Sequence, residues 1–159
     1  MQQYARLSNL ELHGVDELPD EDVTAIAITT AKVVGVDLVE DDIAAIHRLP
    51  LQKNKTGPAP IFIQLASRRV REEWLYKGRD VICTIADVLG DDVPECGRRV
   101  KVLENLTPYY KSLLWETKQR CRLMNYRYAW FSGYKVFAKK DDYTEPIRIV
   151  TPRDLCYIV

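Results

Sequence analysis

Polar and apolar residues alternate from Asn9 to Val15: Leu10 and Leu12 fall on one side, Glu11 and His13 on the other, and Gly14 closes the run. A period of two predicts a half-buried strand. Asp16 to Pro19 is turn-like. The spacing then changes to that of a helix from Glu21 to Val34, with Val23, Ile26, Ala27, Thr30 and Val34 on one face. Asp20 suits its cap, the acids of its first turn suit the dipole, and Gly35 suits its end. A short strand follows at Ile43–Leu49, then a loop rich in Pro, Lys and Gly from Pro50 to Pro60. A third strand spans Ile61–Leu65, with Ile61, Ile63 and Leu65 opposite Phe62 and Gln64. Ser67 caps a helix that runs to Lys77 and stops at Gly78. Arg79–Gly97 has little periodicity. Val100–Glu104 reads as a fourth strand. Strand–helix–strand–strand–helix–strand is the split βαβ order, so a four-stranded antiparallel sheet with two helices on one face is expected.

A second unit starts at Asn105-Leu106-Thr107-Pro108. Thr107 is a good N-cap and Pro108 a good first helical residue. The helix is expected to reach Met124, burying Tyr110, Leu113, Leu114, Thr117, Cys121 and Met124. Lys111, Trp115, Lys118 and Arg122 are spaced four, three and four, so they share another face. That stripe suits a polyanion with stackable bases; its plainer reading is a solvated basic face. Tyr126–Phe131 and Tyr134–Lys139 read as two strands joined by Ser132-Gly133. Ile147–Val150 is a third strand, and Thr151-Pro152 starts a short closing helix. The fold class is therefore α+β: an entry segment at 1–8, a ferredoxin-like βαββαβ domain at 9–104 and a small α+β domain at 105–159.

With 47% apolar and 29% charged residues, the 159-residue chain has the composition of a folded protein. No run approaches the roughly 18 apolar residues of a membrane helix, and Met1 to Arg6 lacks a signal-peptide core. An intracellular location, in cytoplasm or nucleus, is expected. Cys83, Cys96, Cys121 and Cys156 are far apart, and His13 and His47 complete no zinc pattern, so reduced thiols and no metal are expected. The zero net charge hides a division. Residues 1–95 hold 10 Lys/Arg against 17 Asp/Glu, whereas residues 96–159 hold 13 against 6. A polyanion contact would lie mostly in the later segment, unless the two parts simply attract one another.

Nucleophile elbows, phosphate-binding loops, zinc-protease and dinucleotide signatures are all lacking in the sequence. The expectation is a protein that is not an enzyme and takes no cofactor. The ferredoxin-like sheet is the scaffold of the RNA-recognition motif, which stacks bases on aromatics of its central strands. Here those strands offer Glu11, His13 and Phe62, an unusual set for that use.

Asn9–Val15, Ile46-His47-Arg48-Leu49-Pro50 and Ile61–Leu65 followed by a basic helix resemble the core of open-reading-frame-one proteins of LINE-type retrotransposons. Asn105–Pro108, Tyr128-Ala129-Trp130, Gly133–Phe137 and Lys139–Asp142 resemble the C-terminal domain of the insect version, shared with baculovirus FP (few-polyhedra) proteins. The resemblance implies a non-standard RNA-recognition motif and a small partner domain that together clamp single-stranded RNA or DNA. It also implies self-association through an upstream trimeric coiled coil, which this sequence lacks. Met1-Gln2-Gln3-Tyr4 begins about where such a coil would end, so a trimmed or domesticated short form is expected. By the family pattern, Arg48, Lys77 and Arg79 would meet phosphates. By charge, Arg98, Arg99 and Lys101 join them at the domain junction. Lys118, Arg122 and Arg127 would line the other side, with Trp130 or Tyr126 stacking on a base. The alternative is a protein-interaction or structural module of viral or domesticated origin, whose acidic part takes a basic partner.

Overall fold

The computed structural model describes residues 6–51 and 55–159. The expected coil remnant at Met1–Tyr4, and Gln52–Asn54 of the Pro-rich loop, lie outside the described residues. The chain divides into two compact units: Leu7–Asn105, and Leu106–Val159 with Arg6.

The first unit is a sheet with helices on one face. Its central strand β1 (Asn9–His13) lies between β3 (Ile61–Leu65) and β5 (Arg99–Glu104), and β2 (Ile43–Arg48) flanks β3. All these pairings are antiparallel. This is the split βαβ order, with α1 (Val23–Val33) and α2 (Arg68–Lys77) as its helices. Leu10, Leu12, Ile61, Ile63 and Leu65 point from the sheet into a core closed by Ile26, Ala27 and Ala31 of α1 and by Trp74 of α2.

The sheet has five strands, not four. A two-residue strand, β4 (Cys83–Thr84), extends it beyond β5, and the short helix α3 (Ile85–Leu89) follows directly. Two residues are too few to show a period, which is why Arg79–Gly97 looked irregular. Local bonds build this segment instead. The Asp87 carboxylate accepts from the Thr84 N–H (2.8 Å) and hydroxyl (3.0 Å), and Ile85 seats α3 in the core. A second correction concerns α1. Asp22, not Asp20, caps it, accepting from the Ala25 N–H at 3.1 Å. Asp20 takes a left-handed conformation two residues earlier (φ 57°), and the first turn holds no acid.

Two arginines tie the layers together. Arg71 is buried on α2, where it donates to the Asn9 carbonyl (3.4 Å) and the Glu104 carboxylate (3.1 Å). Burial raises the pKa of Glu104, and Arg71 opposes that rise. Arg48, at the end of β2, is discussed with the candidate residues. Gly14 turns the chain after β1 with φ +96°, and a Cβ there would lie 2.5 Å from the Arg99 carbonyl oxygen. Only glycine meets both conditions.

The second unit packs α4 (Pro108–Leu123) on a meander of β6 (Tyr128–Ser132), β7 (Lys135–Lys139) and β8 (Ile147–Ile149). Thr107 caps α4 through the Tyr110 N–H (3.4 Å), as its sequence predicts. Leu113, Thr117 and Cys121 form its buried line. They join Phe131, Val136, Ala138, Ile149 and Ile158 in the core. The hairpin turn is Gly133-Tyr134, both with positive φ, rather than Ser132-Gly133. Moving a two-residue turn by one position slides the partners by two, so Trp130 faces Phe137. The closing helix is a 3-10 segment, Pro152–Tyr157, started by Asp154, which accepts from the Val150 and Thr151 N–H groups.

All four cysteines are free thiols. Burial pushes Cys83 up to about 11, and also raises Cys121. Cys156 is exposed. Alkylation of the native protein at pH 8, followed by mass spectrometry, should therefore label Cys156 and spare Cys83 and Cys121 until the chain is unfolded. Labelling of all four at one rate would contradict the packing.

Candidate nucleic-acid interface

The basic residues singled out in the first unit have different surroundings. All five N–H donors of Arg48 are used internally. Nε and Nη2 reach the two Glu21 oxygens (2.9 and 2.8 Å), Nη1 reaches the Val15 and Ala59 carbonyls (2.7 and 2.6 Å), and Nη2 also reaches Asp16 (3.1 Å). Its side chain and that of Glu21 are each only 12% exposed. Arg48 thus fastens the end of β2 to the loops on either side and keeps no donor for a phosphate. The hydrogen bond and charge of Arg48 hold Glu21 below its ordinary pKa, against the effect of burial. Arg98 is likewise engaged by Asp16 (2.6 Å), Glu95 (3.0 Å) and the Gly14 carbonyl (3.0 Å). Lys77 pairs with Glu73 (3.0 Å), and Arg79 lies over the Tyr76 ring at 5.4 Å.

Arg99 and Lys101 are exposed on β5 and in no ion pair among the described residues. They sit on the helix-free face of the large sheet, where Lys101 is opposite His13. That face also holds Phe62, 5.0 Å from the His47 ring. Glu11 is buried there rather than open to solvent. It accepts from Asn105 (2.7 Å) and lies 3.0 Å from His13.

The second unit presents two basic surfaces. On α4, Lys111, Trp115, Lys118 and Arg122 are all exposed, Trp115 to 63%. Among the described residues, none of these three cations is in an ion pair. The other surface is the side of the three-stranded sheet turned away from the α4 core. Strand alternation sends Ala129, Phe131, Val136, Ala138, Ile147 and Ile149 inward. It sends Tyr128, Trp130, Lys135, Phe137, Lys139 and Arg148 outward. Trp130 and Phe137 stack at 5.3 Å with 23° between their planes. Arg148 is the next residue across from Phe137, and Lys139 is directly opposite Tyr128. Three aromatics and three cations thus interleave on one small face.

Tyr128, Lys135, Phe137, Lys139 and Arg148 were not among the sequence candidates. The alternation in Tyr128–Ser132 and Lys135–Lys139 was the signal that could have found them. Tyr126 belongs partly to the core, with the Lys140 ammonium 6.0 Å from its ring centre. Arg127 is exposed and pairs with Asp142 at 3.3 Å.

This unit also carries a family likeness. Residues 107–159 match baculovirus FP protein domain 2. The match covers one third of the chain and the whole of α4 and the meander, so this FP-like domain is similar to part of a viral protein. No curated protein matches the chain. No helix among the described residues is long and apolar enough to cross a membrane. Among the described residues, no group of His, Cys, Asp and Glu could hold a metal ion.

Proposed function

We propose that the chain is a binding module, not an enzyme, and that its FP-like domain takes single-stranded RNA or DNA without sequence preference. The observation that carries this reading is the interleaving of Tyr128, Trp130 and Phe137 with Lys135, Lys139 and Arg148 on one sheet face. Every base has a π-face, so aromatic platforms accept any sequence, while cations between them track the backbone. Charge supports the assignment: residues 106–159 hold ten Lys/Arg and five Asp/Glu. The α4 stripe offers further cations to a strand that continues past the sheet. In this reading the chain is a nucleic-acid-binding relative of the retrotransposon cores it resembles, and a coiled coil in a longer form would raise its avidity.

The test is a fluorescence-anisotropy titration of the protein against labelled single strands of about 20 nucleotides, longer than a usual binding site. Affinity should fall linearly in log salt. Trp130→Ala, with its fold checked by circular dichroism, should lose about 1–3 kcal/mol, the contribution of one stacked base. A duplex of the same sequence, whose bases are covered, should bind more weakly. Absence of binding at low salt by the folded protein would overturn the reading and leave a protein-interaction module.

A further inference from the structure

We propose that Arg127 and Tyr128 form a phosphate subsite at the edge of the aromatic face, and that Asp142 occupies it when nucleic acid is absent. The inference rests on the function proposed above and adds a built-in competitor to it.

The geometry is that of an anion held by two donors. One Asp142 oxygen lies 3.3 Å from Arg127 Nη1, and the other accepts from the Tyr128 hydroxyl. A phosphate presents two oxygens in the same way. The carboxylate is delivered by a tight turn. Asp141 accepts from the Tyr143 N–H at 2.9 Å, and the Thr144 hydroxyl approaches the Asp141 N–H at 3.3 Å. The donors are delivered by the start of β6, where the Arg127 N–H bonds to the Lys140 carbonyl at 3.0 Å. Turn and strand thus meet at a fixed point, next to Tyr128 on the face and Lys139 across from it.

The contact is also weak enough to yield. The side chains of Arg127 and Asp142 are 64% and 59% exposed, and pairs this open contribute little to stability. A backbone phosphodiester carries one negative charge over two oxygens, as the carboxylate does, so it can take the same two donors. When it replaces the carboxylate, the Tyr128 hydroxyl donates to the phosphate instead of to Asp142. The hydrogen bond to Asp142 raises the Tyr128 phenol above its ordinary pKa, so its titration reports whether the contact is closed.

The experiment compares Asp142→Asn, Asp142→Ala and Glu145→Gln with the parent protein in the same anisotropy titration. Glu145 is exposed on the same turn, and its variant makes the same change of net charge without touching the subsite. Removing the competing carboxylate spares the bound strand its displacement and tightens binding about two- to fivefold, the strength of an exposed pair. Both Asp142 variants should show that gain, and Glu145→Gln should show less than half of it. Adding Arg127→Ala to Asp142→Asn should abolish the gain. The Tyr128 phenol, followed by ultraviolet absorbance, should titrate at lower pH in Asp142→Ala than in the parent. If the Asp142 variants gain no more than Glu145→Gln while the parent binds and Trp130→Ala weakens it, the subsite is refuted and the broader reading survives. If the parent does not bind at all, both fall together.

Discussion

Replacing Arg48 with alanine should destabilise the protein by about 3 kcal/mol or more, the range for removing one partner of a buried ion pair. Five hydrogen bonds disappear with the guanidinium, and Glu21 and three carbonyls lose their donor together. Urea denaturation should show a lower midpoint with an unchanged slope. Arg48→Lys keeps the charge but has three donors on one atom, so it should recover only part of the loss. The pH dependence follows from Glu21. Its folded-state pKa is lowered, so its stabilisation is present above the ordinary carboxyl range and is lost as the pH falls below about 4. That acid-side loss should flatten in Arg48→Ala. Below its melting temperature the variant should bind nucleic acid like the parent. A variant of full stability with weakened binding would instead return Arg48 to the role of a phosphate contact.

Removal of the three sheet cations should have the opposite signature. The triple variant Lys135→Ala/Lys139→Ala/Arg148→Ala should weaken single-strand binding about 100-fold at 0.1 M salt. This follows from a slope of about 0.7 per phosphate, or roughly fivefold for each lost contact. The plot of log affinity against log salt should become shallower by about 2. All three side chains leave the sheet on its outer side, and among the described residues none is in an ion pair. Stability should therefore change by no more than about 0.5 kcal/mol per substitution. An unchanged slope would mean that phosphates do not meet this face.

Much of the architecture is written in local periodicity. Ile61–Leu65 and the Ser67-capped helix that follows it could be read residue by residue, because alternation and capping are properties of neighbouring positions. Thr107-Pro108 was legible for the same reason. The strand Cys83–Thr84 was not, because two residues have no period and its partner lies in β5. Arg48 shows the corresponding limit for a site. Its charge and position are visible in the sequence, but the acid that claims it is 27 residues away and arrives only with the tertiary fold. The aromatic face lies between these cases. Which residues of β6 and β7 share a side follows from alternation alone. Which side remains open depends on where α4 packs.

That packing has a consequence for synthesis. The apolar line of α4, Leu113, Thr117 and Cys121, is made before every strand that covers it. Ile158, fully buried in the same core, follows the end of α4 by 35 residues. At ribosomal rates of 5–20 residues per second, that interval lasts roughly 2–7 s. During it the nascent helix carries a bare greasy stripe that a chaperone or a neighbouring chain can reach. The first unit waits longer still: α1, which carries Ile26, Ala27 and Ala31, ends 66 residues before β5 begins. In both units, then, an apolar helix face is made well before the strands that cover it.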